Sequence, residues 1–289
     1  MFMLTNEVVR EIEKFVYSKP RSIQEIAEKI NKNWRTADRY VDDISRNYGT
    51  IATRTFRGGT RGALKIVYWA SIEKASHSVF QESLENELLL RKGKEEFSSF
   101  DIFQHVDNKK KEVWMQSGKD EVFIGKLDNL ANMLLKVKKQ FILFSGNLSF
   151  TQYHDRKTDI FKVIDGMVKK GISIKAVCRV DLAGIGNIEK LLSLNKKYGK
   201  ELVEIRHRDQ PLRTTIVDNQ FFNMKEIFLP TGREGELKDI TFVFYTIYDK
   251  EWIEWLTKIF WKMFSSSIDA NRRIEELKNI ERHRRKSEK

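Results

Sequence analysis

The feature that most constrains this chain is the run from Ser22 to Trp69, where two short amphipathic segments and a glycine-centred hairpin follow one another closely. In SIQEIAEKI, Ser22 stands three residues before Glu25, the spacing of a capping box, and Ile23, Ile26, Ala27 and Ile30 recur at helical intervals. Asn31, Lys32 and Asn33 break that pattern. A second helix is predicted from about Trp34, with Ala37, Val41 and Ile44 facing inward. Its N-terminal end and outer face then hold Asn33, Trp34, Arg35, Thr36, Arg39 and Tyr40. Beyond it, Ile51 to Phe56 and Ala63 to Trp69 are β-prone runs joined by Arg57-Gly58-Gly59-Thr60-Arg61-Gly62, a hairpin with a basic tip. From Ile44 to Ala70 the chain carries Arg46, Arg54, Arg57, Arg61 and Lys65 and no Asp or Glu.

Helix, break, helix and hairpin in that order predict a winged helix-turn-helix. The segment TADRYVDDI resembles the recognition-helix signature of winged-helix transcription regulators, with its Thr, small residue, basic residue and spaced aliphatics. A recognition helix presents its N-terminal residues to base edges, and a basic wing suits phosphates. The predicted DNA-contacting set is therefore Asn33, Trp34, Arg35, Thr36, Arg39, Tyr40, Arg54, Arg57 and Arg61. A winged helix can also serve as a protein-interaction module, which the pattern alone leaves open.

At 289 residues, with 40% of them hydrophobic, the chain is long enough for two domains. A formal net charge of +12 favours a polyanionic partner, either nucleic acid or an anionic membrane surface. No apolar run approaches the roughly 18 residues of a membrane span, and the acids in MFMLTNEVVREIEKF do not suit a signal peptide. A cytoplasmic protein without membrane association is expected. The single cysteine, Cys178, lies in an apolar run and is expected to be a small buried hydrophobe.

Thr5 is placed to cap a first helix with Val8, Val9, Ile12, Phe15 and Val16 on one face. Residues 1–70 thus form the predicted DNA-binding head. Residues 71–119 are predicted as a connector, helical to about Arg91 and then irregular, with Lys109-Lys110-Lys111 in a solvated loop. From there to residue 267, helical and strand-like runs alternate, the signature of an α/β layer fold. Strands are predicted at 140–145, 172–180, 202–206, 212–217, 221–225 and 240–247, and helices at 127–138, 160–170 and 182–198. KEWIEWLTKIFWKMF, residues 250–264, has too many aromatics for a solvated helix and belongs in a core or a subunit interface. Residues 268–289 form a charged helix or tail expected to fray into solvent. The predicted fold class is therefore multi-domain α/β, a winged helix joined to an α/β domain with a mixed sheet.

Within the second domain, FILFSGN and the block IRHRDQPLRTTIVDNQFF resemble a phospholipase D-type half domain. That superfamily carries a His-x-Lys-x4-Asp strand, in which the His attacks phosphorus and the Lys holds phosphate oxygens. The resemblance puts Pro211 at the His place, Arg213 at the Lys place and Asp218 at the Asp place, while Lys225 and Glu226 stand where a Gly-Ser often follows. Proline offers no nucleophile, so no catalytic residue is predicted. A winged helix joined to such a domain resembles the TrmB-type transcription regulators, which implies specific DNA binding with a sensor or dimerisation module.

Arg206, His207, Arg213 and Asp218, with Arg208 and Asp209, are candidates for holding an anionic effector, and a structural ion-pair network, the favoured reading, explains the same residues. The five histidines lack metal-ligand spacing, and Gly184-Ile185-Gly186 lacks the rest of a dinucleotide fingerprint, so no metal or cofactor is predicted. The leading expectation is a homodimeric, non-enzymatic regulator of double-stranded DNA with a possible small-molecule effector. Two alternatives stand beside it: a phosphodiesterase or nuclease completed by His207 or His154, and a chromatin-type protein coating DNA with little sequence preference.

Overall fold

The computed structural model describes residues 4–47, 50–57, 63–69, 77–117, 130–230 and 237–287. The N-terminal head contains α1 (Asn6–Ser18), β1 (Arg21–Ser22), α2 (Ile23–Lys29), α3 (Trp34–Asn47), β2 (Ile51–Arg57) and β3 (Ala63–Trp69). Thr5 Oγ1 accepts from the Val8 amide, and Ser22 and Glu25 close the expected capping box. The strands form an antiparallel sheet in the order β1-β3-β2, so three helices and a three-stranded sheet give an arrangement compatible with a winged helix-turn-helix. Ile12, Ile26, Ala37, Val41, Ile44 and Val67 are sealed from solvent at its centre.

The β2–β3 pair has two apolar faces. Ile51 and Val67 lie in the head core, whereas Phe56, Leu64 and Ile66 join the core of the rest of the protein. Strand alternation makes this possible, because Phe56 lies opposite Leu64 and Arg54 opposite Ile66, all on the side away from the head helices. Phe56 makes edge contacts with Phe100, Phe103 and Tyr245 at centroid distances of 6.1–6.3 Å.

The body continues with α4 (His77–Leu90), α5 (Phe100–Phe103), β4 (Lys111–Ser117) and the helical residues 130–135, taken as α6. There follow β5 (Gln140–Phe144), α7 (Ile160–Lys169), β6 (Ser173–Cys178), α8 (Ile185–Tyr198) and β7 (Val203–His207). Then come β8 (Thr214–Val217), β9 (Phe221–Phe228), β10 (Thr241–Ile247), α9 (Lys250–Ser265), β11 (Ile268–Asp269) and α10 (Ala270–Ser287). An eight-stranded mixed sheet runs in the order β11-β7-β6-β5-β8-β9-β10-β4. The β5–β6 and β6–β7 pairs are parallel and the others antiparallel.

The sheet is covered on both faces, which explains why QFILF is a continuous apolar run. Ile142 and Phe144 face the layer containing α9, while Phe141 and Leu143 face the layer containing α7 and α8. Helix α9 belongs to the core: Trp252, Leu256, Ile259, Phe260 and Met263 are at most 1% exposed. Cys178 is sealed, and burial pushes its thiol up to about 12, as an inert apolar residue requires.

Two stretches differ from expectation. Much of the irregular segment after residue 93 is ordered: Phe97, Phe100 and Phe103 are core residues, and β4 is an edge strand paired with β10 along its length. The charged C-terminal stretch does not fray from Ile268, because β11 pairs with β7 and Ala270 and Ile274 of α10 enter the core. No helix of the described residues is long and apolar enough to cross a membrane.

Candidate nucleic-acid interface and the strand ends of the body sheet

Helix α3 begins where Asn33 Oδ1 accepts from the Thr36 amide at 2.9 Å, an N-cap that fixes the start of the helix. Ala37, Val41 and Ile44 then lock its inner side, each 0% exposed. Asn33, Arg35 and Arg39 are exposed, and Trp34 and Thr36 are half-buried, Trp34 against the head core. Tyr40 is 2% exposed and packs inside, a correction to its placement on the outer face. It lies three residues after Ala37 and four before Ile44, so the helical period itself carries it inward.

The wing also departs from expectation. Lys65 does not face open solvent for phosphates: its Nζ sits 2.7 Å from both Asp38 and Asp42 of α3. Burial opposes the Lys65 charge, but hydrogen bonds and attraction from the two carboxylates outweigh it and raise the pKa. These acids, one helical turn apart, were legible in TADRYVDD. Arg54 is half-buried rather than fully exposed: its guanidinium stands 5.1 Å from the Phe103 ring centre, between head and body. The hairpin tip with Arg61, and the side chain of Arg57, lie outside the described residues.

In the body, the predicted effector residues separate into unrelated contacts. Asp218, at a φ of 49°, accepts from the backbone amides of Lys138, Lys139 and Gln140 at 2.7–2.8 Å. Arg206 pairs with Asp269 at 3.4 Å and lies 5.4 Å over the Phe264 ring. His207 Nδ1 accepts from the Val180 amide at 2.9 Å. Burial, with the Arg273 charge nearby, lowers the His207 pKa, which suits the neutral acceptor form. Arg208 donates to Ser266 Oγ and to the Leu89 carbonyl. His154 is exposed, its Nδ1 2.9 Å from the Gln152 carbonyl oxygen, and is not brought to His207 by any shared contact among the described residues.

Arg213 makes contacts that sequence reading did not anticipate. It pairs with Glu95 at 2.9 Å and donates to the Lys94 carbonyl at 3.3 Å. Lys94 in turn donates to the carbonyls of Ser145 and Leu212, at the ends of β5 and β8. Burial, then Arg213 and Arg179, bring the Lys94 pKa down to about 7. Gln210, 2% exposed, closes the same corner by donating to the Ser145 carbonyl and accepting from the Leu212 amide. Residues 94 and 95 thus form a strap tied to the ends of β5 and β8, and Pro211 is buried. Among the described residues there is no group of three or more His, Cys, Asp or Glu able to hold a metal ion.

No protein-family model matches the chain, and no curated protein matches its sequence. The fold is of the mixed α/β class. Among solved structures it is similar to Nuc from Salmonella typhimurium, a phospholipase D family member, at 13% identity and a TM-score of 0.38 over 55% of this chain and 97% of that one. It is similar to NucT from Helicobacter pylori at 12% identity and 0.38, over 55% and 99%. It is also similar to TrmBL2, described as an archaeal chromatin protein with a novel mode of DNA binding, at 15% identity and 0.36, over 91% of this chain and 94% of that one.

Proposed function

We propose that this protein binds double-stranded DNA through α3 and the wing, and that the body is a non-catalytic module that pairs two copies. The observation that carries the reading is the exposed pair Arg35 and Arg39, one turn apart on a capped helix whose opposite side is locked into the head core. Guanidinium groups so placed can donate bidentately to guanine edges. The net charge of +12 supplies the non-specific attraction to phosphates. In this reading residues 1–70 are the head, and the body is wider than the 120–267 expected, since it takes in β4 at 111–117 and β11 at 268–269, with the basic helix α10 after it. Two heads in a symmetric dimer lengthen a short contact into a site.

The non-catalytic part of the proposal rests on Pro211, Arg213 and His207. Pro211 has no side-chain atom that can attack phosphorus, and Arg213 is engaged by Glu95. His207 is occupied as an acceptor from the Val180 amide.

Selection of bound fragments from random duplex DNA tests the reading directly. A recurring sequence, lost in Arg35→Ala and Arg39→Ala, supports a sequence-specific regulator. Tight binding without any recurring sequence, with equal losses in all basic variants, replaces it by a DNA-coating protein. No binding at low salt refutes it. Light scattering on the full chain is expected to give the mass of a dimer.

A further inference from the structure

Two cations from different parts of the chain converge on one aromatic ring. Arg54, on β2 of the head, places its guanidinium carbon 5.1 Å from the centre of Phe103. Lys111, the first residue of β4 in the body, places Nζ 4.7 Å from the same centre and donates to the Phe103 carbonyl at 2.8 Å. Both side chains are half-buried, so each keeps a path to solvent. Phe103 itself is 1% exposed and its ring is fixed against Tyr245, 4.9 Å away.

Among the described residues neither cation is ion-paired with a carboxylate, whereas neighbouring Lys110 pairs with Asp249 and the wing's Lys65 with two aspartates. Asp107 is the acid near Lys111, and its Oδ1 accepts from the Lys109 amide. Burial and then the Arg54 charge bring the Lys111 pKa down to about 8, so like charges oppose one another where head meets body. An anion bound by both would reverse that repulsion. Contact with the Phe103 ring holds each cation before any ligand arrives, and that reduces the side-chain ordering which binding requires.

We propose that Arg54 and Lys111 form a phosphate-binding pair that carries the DNA backbone from the wing onto the body. The inference rests on the DNA-binding reading and extends the contact surface beyond the head. Arg54 supplies a planar fork of donors and Lys111 a point charge, a combination that grips a backbone phosphate without reading a base.

The test measures affinity of the full chain for one duplex as salt is raised. Arg54→Gln and Lys111→Gln are each expected to flatten the slope of log affinity against log salt by about 0.9, the value for one phosphate contact, while Lys111→Arg and Arg54→Lys keep it. Duplex DNA should also protect Lys111 from an amine-reactive reagent, read by mass spectrometry, and leave Lys278 on α10 as reactive as before. If the unaltered protein binds but the glutamine variants keep the full slope and Lys111 is unprotected, the pair is not a phosphate site and the DNA reading stands. Equal slope loss in the charge-keeping variants would mean that packing was disturbed, and it refutes the pair as well. Absence of DNA binding by the unaltered protein removes both proposals.

Discussion

Replacing Asp218 separates a structural acid from a ligand-binding one. Its carboxylate accepts three backbone amides, Oδ1 those of Lys139 and Gln140 and Oδ2 that of Lys138, and so pins the start of β5 to the end of β8. A hydrogen bond to a charged group contributes about 1.5–3 kcal/mol where solvent is excluded. Two of these three bonds are exposed and one half-buried, so water replaces part of what is lost. Asp218→Ala forfeits all three and also puts alanine at a φ of 49°, which adds about 1 kcal/mol. Together these give a loss of about 3 kcal/mol. Asp218→Asn tolerates the backbone and keeps Oδ1, but turns an amide toward the Lys138 N–H, for a loss of about 1 kcal/mol. Urea unfolding read by tryptophan fluorescence gives both values from the midpoint at unchanged slope. A loss below about 0.5 kcal/mol for Asp218→Ala, the level of an ordinary surface change, would refute the anchoring role.

Asp101 gives a pH prediction: burial, then the Glu226 and Glu87 carboxylates, raise its pKa well above 3.8 in the folded protein. Its proton is taken up on folding, so this stabilisation is complete below pH about 4, the unfolded value, and fades as pH rises through the folded pKa. Asp101→Asn should therefore stabilise the protein at pH 7 and flatten its pH dependence, and parallel urea midpoints for the two proteins from pH 4 to 7 would refute it. On a specific duplex, Arg35→Ala or Arg39→Ala should each weaken binding by about 1–3 kcal/mol and relax base preference, as competition against mismatched duplexes will show. The purified protein should leave bis-nitrophenyl phosphate and plasmid DNA uncut, with or without divalent metal. Turnover that disappears in His207→Ala or His154→Ala, with folding intact, would establish an enzyme instead. Glu95→Ala should free the strap of residues 94 and 95 and raise the deuterium exchange of residues 91–96, and unchanged exchange there would remove the strap as an ordering device.

Local period carried much of the head. The Ser22–Glu25 capping box, the inward Ala37, Val41 and Ile44 and the paired runs of β2 and β3 all follow from spacings of a few residues, where side-chain direction is set by the backbone. Tyr40 was equally legible from the same period, and the count of its neighbours outweighs the polarity of its hydroxyl. The body strands were legible as apolar runs bounded by polar turns.

What the tertiary structure decided is where second faces and isolated polar groups go. Alternation in ATRTF puts Arg54 and Phe56 on one side of β2, yet nothing within the hairpin tells whether that side meets water or a body. KEVWMQS reads as polar and charged because an edge strand buries little of itself, and it becomes a strand only by pairing with residues 241–247. Asp218 finds its amides 78–80 positions away, and Arg213 finds Glu95 across 118. A carboxylate or guanidinium does not encode its partner in its own neighbourhood, because charge acts through space and the chain must fold before the distance exists.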